Sequence, residues 1–496
     1  MLDMQKRLTN FFYVNLSLPA TAMGFALSVQ ISALSWILST QYHLEIEDIG
    51  LVWAAGPIAG IIGQVLIGVI SDNVWFLNGR RRPFILIGGV LAALMLLALP
   101  NIGVISDAMG AESILGIAII VALTLDLAIN VSFNPTRSII ADVTPEGKER
   151  TKGYTWMQTI SGTFGVLAYA VGAIWNNFVL IYFGAGLVLI LSVLPVFFIE
   201  EPRVLKSSGA EEENEKKPGF SLSETLNAIR PLWGFLVYAI YAMTLRIMDI
   251  DREPGFVEGF CLALTAVVMI QALLKSETGK GKSEAGLIGF QKVLAAHSFT
   301  WIGVQTMFVY MFSYVQHDVY GFRAGDVIPE DIKIEMGRVV SIAFLVLNAV
   351  AAILPATVLE PMADKFGRVK VHFACIAVMA VGYFSFLVPG ISPTLIYVLM
   401  GVAGVGWAAT VSLPFAIMSQ KVDQAKMGLY MGLFNLSVVL PQLVASLGVG
   451  QLIGNAENKS ITFVVCGVTL GISALAWLMV KEEQTGDAAA VAPAGH

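Results

Sequence analysis

Apolar residues run along this chain in long blocks separated by short polar stretches, rather than alternating along one face of a strand or helix. A helix needs about 20 consecutive apolar residues to cross the hydrocarbon core of a bilayer. Blocks of that kind lie at 12–39, 48–70, 83–101, 113–136, 153–175, 178–199, 231–249, 255–274, 299–317, 337–359, 371–389, 393–418, 428–453 and 461–480, which predicts fourteen membrane-spanning helices. The first block is too long for the apolar core of a cleavable leader and reads as a span.

An even number of spans puts both termini on one side, and the basic residues say which. With a cytoplasmic N-terminus, only Arg246, Arg252, Arg323, Lys333, Arg338 and Lys459 fall outside, and the other 24 of the 30 Lys and Arg fall inside. Such a bias is the topology signal of membrane proteins. The expected location is a cell membrane, of the bacterial inner-membrane kind, with both ends cytoplasmic.

Composition agrees with this picture. The 496 residues are 56% apolar and 13% charged, against roughly 25% charge in soluble chains, so a soluble enzyme or a disordered chain is excluded. A net charge of −6 gives no case for a nucleic-acid partner. Cys261, Cys375 and Cys466 sit inside apolar blocks without metal-ligand spacing and read as small packing residues.

The blocks also repeat. Asp72 and then Gly79-Arg80-Arg81-Arg82 follow the second block, as Asp364 and then Gly367-Arg368 follow the tenth. Lys152-Gly153-Tyr154 and Met427-Gly428-Leu429-Tyr430 form a second matching pair. Residues 201–298 interrupt the repeat with an acidic, Lys-rich linker, two extra spans and an amphipathic stretch from Ser283 to His297. Without them the chain is an N-terminal six-helix bundle (1–200), a C-terminal six-helix bundle (299–481) and a disordered cytoplasmic tail (482–496). The extra spans carry no polar stripe. They are expected to pack outside the core, with Arg246 and Asp249 paired at their outer end, so that deleting 205–290 leaves some transport.

Acids deep in a span are costly and are therefore candidates for function. Asp126 is the deepest. Arg137 follows eleven residues later, which on a helix is about 20° past whole turns and about 16 Å of rise. If Arg137 marks the cytoplasmic edge, Asp126 lies near the midplane, with Asn130 and Asn134 continuing a polar stripe. Burial disfavours the charged form of a carboxyl and contact with water restores it, which is what a proton-coupling site needs. Other amides inside spans are Gln30, Gln64, Gln158, Gln305, Asn348, Asn435 and Gln442, with rings at Trp36, Trp53, Trp156, Tyr310, Tyr314 and Trp407. Amides exchange hydrogen bonds with hydroxyls and rings cover sugar C–H faces. With no deep basic cluster, the set suggests a neutral, hydroxyl-rich substrate.

Two six-span halves with Asp…Gly-Arg loops at matching positions resemble the major facilitator superfamily, an all-α polytopic fold of two six-helix bundles. Within it, Gly56-Pro57-Ile58-Ala59-Gly60, Gln64, Gly68, Ser71-Asp72 and Gly79-Arg80-Arg81-Arg82-Pro83-Phe84-Ile85 resemble the signature of sucrose/proton symporters, within or near the glycoside–pentoside–hexuronide cation symporters. Asp126, Asn130, Arg137 and Ala141-Asp142 continue the likeness, as do Gln30 in the first span and Asn435 and Pro441-Gln442 near the C-terminus. It covers both halves and not the insert.

The resemblance implies that Asp126 couples the proton and touches the sugar, and that Arg137 is needed for transport. Gln30, Gln64, Asn130, Gln158, Tyr310, Tyr314, Asn435 and Gln442 are the candidate sugar contacts. Asp72, Gly79, Arg80, Arg81, Arg82, Arg137, Asp142, Asp364, Gly367 and Arg368 are the candidate gating latch. The expectation is a monomeric importer of a neutral disaccharide, of maltose or sucrose type, with the lipid bilayer and a small-molecule sugar as partners. It has no cofactor beyond the proton as coupling ion. An exporter or carrier of another small polar metabolite, and a non-transporting membrane sensor, stay open as alternatives. No nucleophile–base pair or metal cluster suggests an enzyme.

Overall fold

The computed structural model describes residues 5–61, 63, 70, 74–77, 79–111, 113–145, 148–202, 222–248, 250, 255–323, 325–422 and 427–482. Among them the secondary structure is helical, apart from one isolated bridge between Phe76 and Gly79. In chain order the main helices are α1 (Asn10–Thr40), α2 (Ile46–Trp53), α3 (Arg82–Ala98), α4 (Ile114–Val143), α5 (Lys148–Ile174), α6 (Asn177–Val193), α7 (Trp233–Ile247), α8 (Phe256–Leu274), α9 (Lys282–Tyr314), α10 (Glu330–Leu354), α11 (Arg368–Phe384), α12 (Pro393–Lys421), α13 (Met427–Val444) and α14 (Ile461–Trp477). Ten helical stretches among the described residues are long and apolar enough to cross a membrane, and Ile461–Trp477 is a shorter apolar helix.

Local chemistry sets the helix starts. Thr9 Oγ1 accepts from the Phe12 N–H at the head of α1, Asn176 Oδ1 from Val179 at α6, and Ser392 Oγ from Leu395 at α12. Each satisfies an N–H that the helix leaves unpaired. Pro83 and Pro393 stand where a first turn needs no donor.

The chain divides into two compact units, residues 1–210 with 312–345 and residues 211–311 with 346–496. In the first, α1 packs along α5 and α6, and α3 packs along α4 and α6. Gly88 and Gly89 on α3 permit this, because a Cβ there would run into Ser132 of α4 and Ser192 of α6. In the second unit α11 packs along α12 and α14, repeating the α3–α4–α6 arrangement. Phe290 of α9 meets Tyr430 of α13 edge to face, in the place of the α1–α5 contact. The internal repeat expected from the loop motifs is thus present in the helix packing.

The insert differs from expectation. The stretch 283–297 is not a separate amphipathic helix, and the boundary at 298 falls inside α9, which runs unbroken from Lys282 to Tyr314. Ile288, Phe290, Val293, Leu294, Ala295 and Ala296 are all buried. Lys292 is buried against Glu277 at 3.1 Å. A charge whose partner lies fifteen residues back reads as an exposed face in sequence. The two extra helices α7 and α8 pack on each other, and α7 leans on α13, where Gly448 makes room for the ring of Tyr238. Asp249, the side chain of Arg246, and the tail beyond 482 lie outside the described residues.

Candidate functional site

Asp126 sits midway along α4 and is 5% exposed. Gln30 of α1 donates from Nε2 to Asp126 Oδ2 at 3.0 Å. Asn130, one turn on, donates from Nδ2 to the Asp126 carbonyl at 2.8 Å, so the predicted stripe is real but Asn130 faces the backbone of Asp126 rather than its carboxylate. No cation pairs with Asp126 among the described residues. The wall facing it is bare backbone: a Cβ on Gly56 would lie 3.4 Å from Asp126 Oδ2, and one on Gly63 would press on Asn130 Cβ at 2.9 Å. Trp53 of α2 donates from Nε1 to Ser35 Oγ of α1 at 2.8 Å. Gln158 on α5 is exposed and makes no hydrogen bond to this set. Gln64 and Asp72 lie outside the described residues.

The second unit holds its own polar set. Gln442 of α13 donates to Gln305 Oε1 of α9 at 3.2 Å. Trp407 of α12 donates to Asn348 Oδ1 at 3.1 Å, with its ring edge to face with Phe308. Asn435 is half-buried on α13, on the same side as Gln442 by helical spacing. Tyr310 and Tyr314, two candidate sugar contacts, are both buried. The Tyr310 hydroxyl is 3.1 Å from the carbonyls of both Ala445 and Ser446. Both carbonyls belong to a π-helical turn at Ala445–Val449, and the tyrosine hydroxyl reaches them there.

The loop before α3 brings together several of the candidate latch residues and one acid that was not among them. Asp142 at the end of α4 takes Arg80 at 2.9 Å and Arg81 at 3.2 Å on one oxygen. Glu201, beyond α6, accepts the backbone N–H groups of Arg80, Arg81 and Arg82 at 2.9, 2.8 and 2.7 Å. A carboxylate at a helix N-terminus satisfies unpaired donors and the helix dipole together. Gly79 is required beside it, since a Cβ would stand 2.7 Å from Glu201 Oε1.

The second half repeats the device. Glu482, beyond α14, accepts from Arg368 N at 3.0 Å and Val369 N at 2.8 Å. Gly367 has φ 92° and lies against Glu482. Asp364, expected in this latch, is exposed and has no ion pair among the described residues; the acid that meets the first turn of α11 is Glu482. Arg137 lies with its guanidinium 4.2 Å over the Phe133 ring, and its carbonyl accepts from the Tyr154 hydroxyl at 3.2 Å.

A cluster that sequence reasoning missed joins the far end of α1 to residues 312–345 within the first unit. Ser32 Oγ is 2.9 Å from Ser341 Oγ, which donates to Asn177 Oδ1 at 3.0 Å. Trp36 donates to the Lys333 carbonyl at 2.8 Å, and Ser39 to Gln316 Oε1 at 2.6 Å. Gly337 admits the Trp36 indole. The signal was the run Ser32, Ser35, Ser39, which shares one helical face.

The family model described as Major Facilitator Superfamily matches residues 16–446, and again 327–494. The chain belongs to the major facilitator superfamily. Among superfamily members, it is similar to the sucrose transport protein SUC4 of Arabidopsis thaliana, with 24% identity over 86% of this chain and 83% of that one. A similar match is the sucrose transport protein SUT2 of Oryza sativa subsp. indica, with 24% identity over 91% and 90%. Of solved structures, an auto-inhibited POT family peptide transporter aligns with a TM-score of 0.64 at 10% identity, covering 97% of this chain and 99% of that one. The nucleoside transporter NupG aligns at 0.58 and 13%, covering 96% and 100%. These two share the major facilitator fold.

Proposed function

We propose that this carrier is a proton-coupled symporter that imports a neutral disaccharide by alternating access. The observation that carries the reading is the Asp126 carboxyl, buried at mid-helix, touched by the Gln30 amide and by no cation among the described residues. A carboxyl in such surroundings holds a proton cheaply, and one exposed to water or to sugar hydroxyls gives it up. Proton and sugar meeting at one acid raise each other's affinity, as reciprocal linkage requires. Relatives named as sucrose transport proteins over most of their length support sugar as the cargo.

In this reading fourteen spans place both termini in the cytoplasm. Asp126, Gln30 and Asn130 take the proton and one sugar ring. Within the second unit, Gln305, Gln442, Asn348 and Trp407 form a separate set of amides and a ring able to exchange hydrogen bonds with hydroxyls. Asp142 with Arg80 and Arg81 forms the cytoplasmic latch, and the serines of α1 with residues 312–345 form the outer seal. The test is sugar-driven proton entry in proteoliposomes, with sucrose and maltose as first probes. Asp126→Asn should abolish uphill, protonophore-sensitive uptake while sugar exchange across the membrane persists. A variant that still accumulates sugar against its gradient removes Asp126 from the coupling role.

A further inference from the structure

The two inserted helices make a site that sugar transport does not use. At the ends of α7, α8 and α9 a cavity of about 120 Å³ is lined by Arg230, Lys275, Asn227, Gln271 and Gln291, with Val268 and Leu287 among its apolar neighbours. It adjoins an open cleft through Asn227 and Arg230, with Trp233 on that cleft's wall. We infer that this pocket binds the phosphate of an anionic phospholipid headgroup.

Charge is the first argument. Arg230 donates to Gln271 Oε1 at 2.5 Å and has no carboxylate partner among the described residues. Lys275 has none either. The acids close by in sequence are spent elsewhere: Glu277 pairs with Lys292 at 3.1 Å and Glu284 with Lys280 at 2.9 Å. Glu224 is on the short helix Leu222–Ala228 and does not line the cavity. Two cations from different helices therefore face one hollow with no acid in its wall among the described residues. A guanidinium with an ammonium and flanking amides is a phosphate-binding set.

Position is the second argument. Trp233 opens α7 and ties its indole N–H to the Leu226 carbonyl at 3.0 Å, a placement typical of aromatic rings at the membrane–water boundary. From Lys275 the outer surface of α8 continues as Leu274, Ile270, Val267, Leu262 and Phe260, all exposed. A lipid seated by its phosphate at Arg230 and Lys275 lays its acyl chains along that surface. Basic pockets between membrane helices recognise anionic headgroups in this way. The Gln291 amide, donating to the Asn227 carbonyl at 2.7 Å, ties the pocket to α9, so lipid occupancy braces the insert against a helix of the second unit.

The test is thermal stability of the purified full-length protein titrated with phosphatidylglycerol, with phosphatidylcholine and with inorganic phosphate. Phosphatidylglycerol should protect at lower concentration than phosphatidylcholine, and inorganic phosphate should protect little. Each of Arg230→Gln and Lys275→Gln should raise the half-saturating phosphatidylglycerol concentration about fivefold, a typical effect of one surface-near cation. Arg323→Gln, in a loop far along the chain, should leave it unchanged. Equal protection by both lipids, a preference retained in the double variant, or equal protection by inorganic phosphate each overturns the inference. If the double variant is unstable without lipid, the exchange Arg230→Lys with Lys275→Arg keeps both charges. It must keep the phosphatidylglycerol preference, and its loss also overturns the inference.

Discussion

The Gln30 side-chain amide donates to Asp126 Oδ2 at 3.0 Å, and it is the one side-chain donor on that carboxylate among the described residues. A donor to an ionised acceptor is worth about 1.5–3 kcal/mol, so Gln30 supports the deprotonated acid that must exist after proton release. Gln30→Leu is expected to lower net proton-driven uptake about tenfold or more. Sugar–sugar exchange, which needs no proton release, should fall less, by only the share of sugar affinity that the Gln30 amide supplies. Parallel assays of uptake and counterflow check this; an equal fall in both would make Gln30 a binding group only.

Asp142 serves two guanidiniums on one oxygen. Removing one partner of a poorly solvated pair strands the other charge, at about 3–5 kcal/mol when fully buried and less here. Arg80→Gln and Arg81→Gln each leave Asp142 one cation, whereas Asp142→Asn frees both. Transport by Asp142→Asn should therefore fall further than in either arginine variant. The effects should also be non-additive by at least about 0.5 kcal/mol in a double-mutant cycle. Additive effects would mean that the charges act only in setting topology.

Trp36 fastens the end of α1 to the Lys333 carbonyl and also stacks edge to face with Phe178 at 4.9 Å. Trp36→Phe removes the hydrogen bond and keeps most of the ring. One such bond is worth about 1 kcal/mol, so an opening equilibrium should shift about fivefold. A Ser32→Cys thiol reports it through its rate of reaction with a membrane-impermeant reagent. The native Cys261, Cys375 and Cys466 are all buried and give a low background. An unchanged rate would show that Ser32 is not sealed by this contact.

Tyr310 was a reasonable sugar contact from its sequence, and its structure gives it another task. Its hydroxyl lies 3.1 Å from two carbonyls of the π-helical turn, and Gly450 fits against it. Tyr310→Phe should lower the melting temperature, by about 1 kcal/mol of lost hydrogen bonding, and leave the KM for sugar unchanged. A rise in KM with unchanged stability would restore the sequence-based role.

These cases show what the chain discloses by itself. Long apolar blocks, the repeated Gly-Arg loops and a lone mid-span Asp126 depend on local pattern, so they are legible. Glu201 and Glu482 are not, because an acid just after an apolar block looks like ordinary loop charge. Their meaning comes from meeting helix ends about 120 residues away in sequence, at Arg80–Arg82 and Arg368. The carbonyl partners of Tyr310 are hidden for the same reason, since they lie on the turn at 445–449. The pair of Lys292 with Glu277 is hidden in the same way, because the acid lies across a turn rather than along the same helix.

That last pair changes what removal of the insert should do. Replacing residues 205–290 with a flexible linker takes away α7 and α8, but it also takes the first turns of α9 and the whole of Glu277. Lys292 is then left buried with no partner, a state that costs about 3–5 kcal/mol. It also removes Gly286, whose backbone lies against the Lys421 carbonyl. The deletion should therefore give little monodisperse protein in detergent. Adding Lys292→Met, which fills the same space without a charge, should recover folded protein and with it some transport. Size-exclusion chromatography of the tagged variants measures the first effect, and sugar uptake in the rescued variant measures the second. If the simple deletion is as stable as the parent, the ion pair contributes nothing and the insert is a detachable appendage.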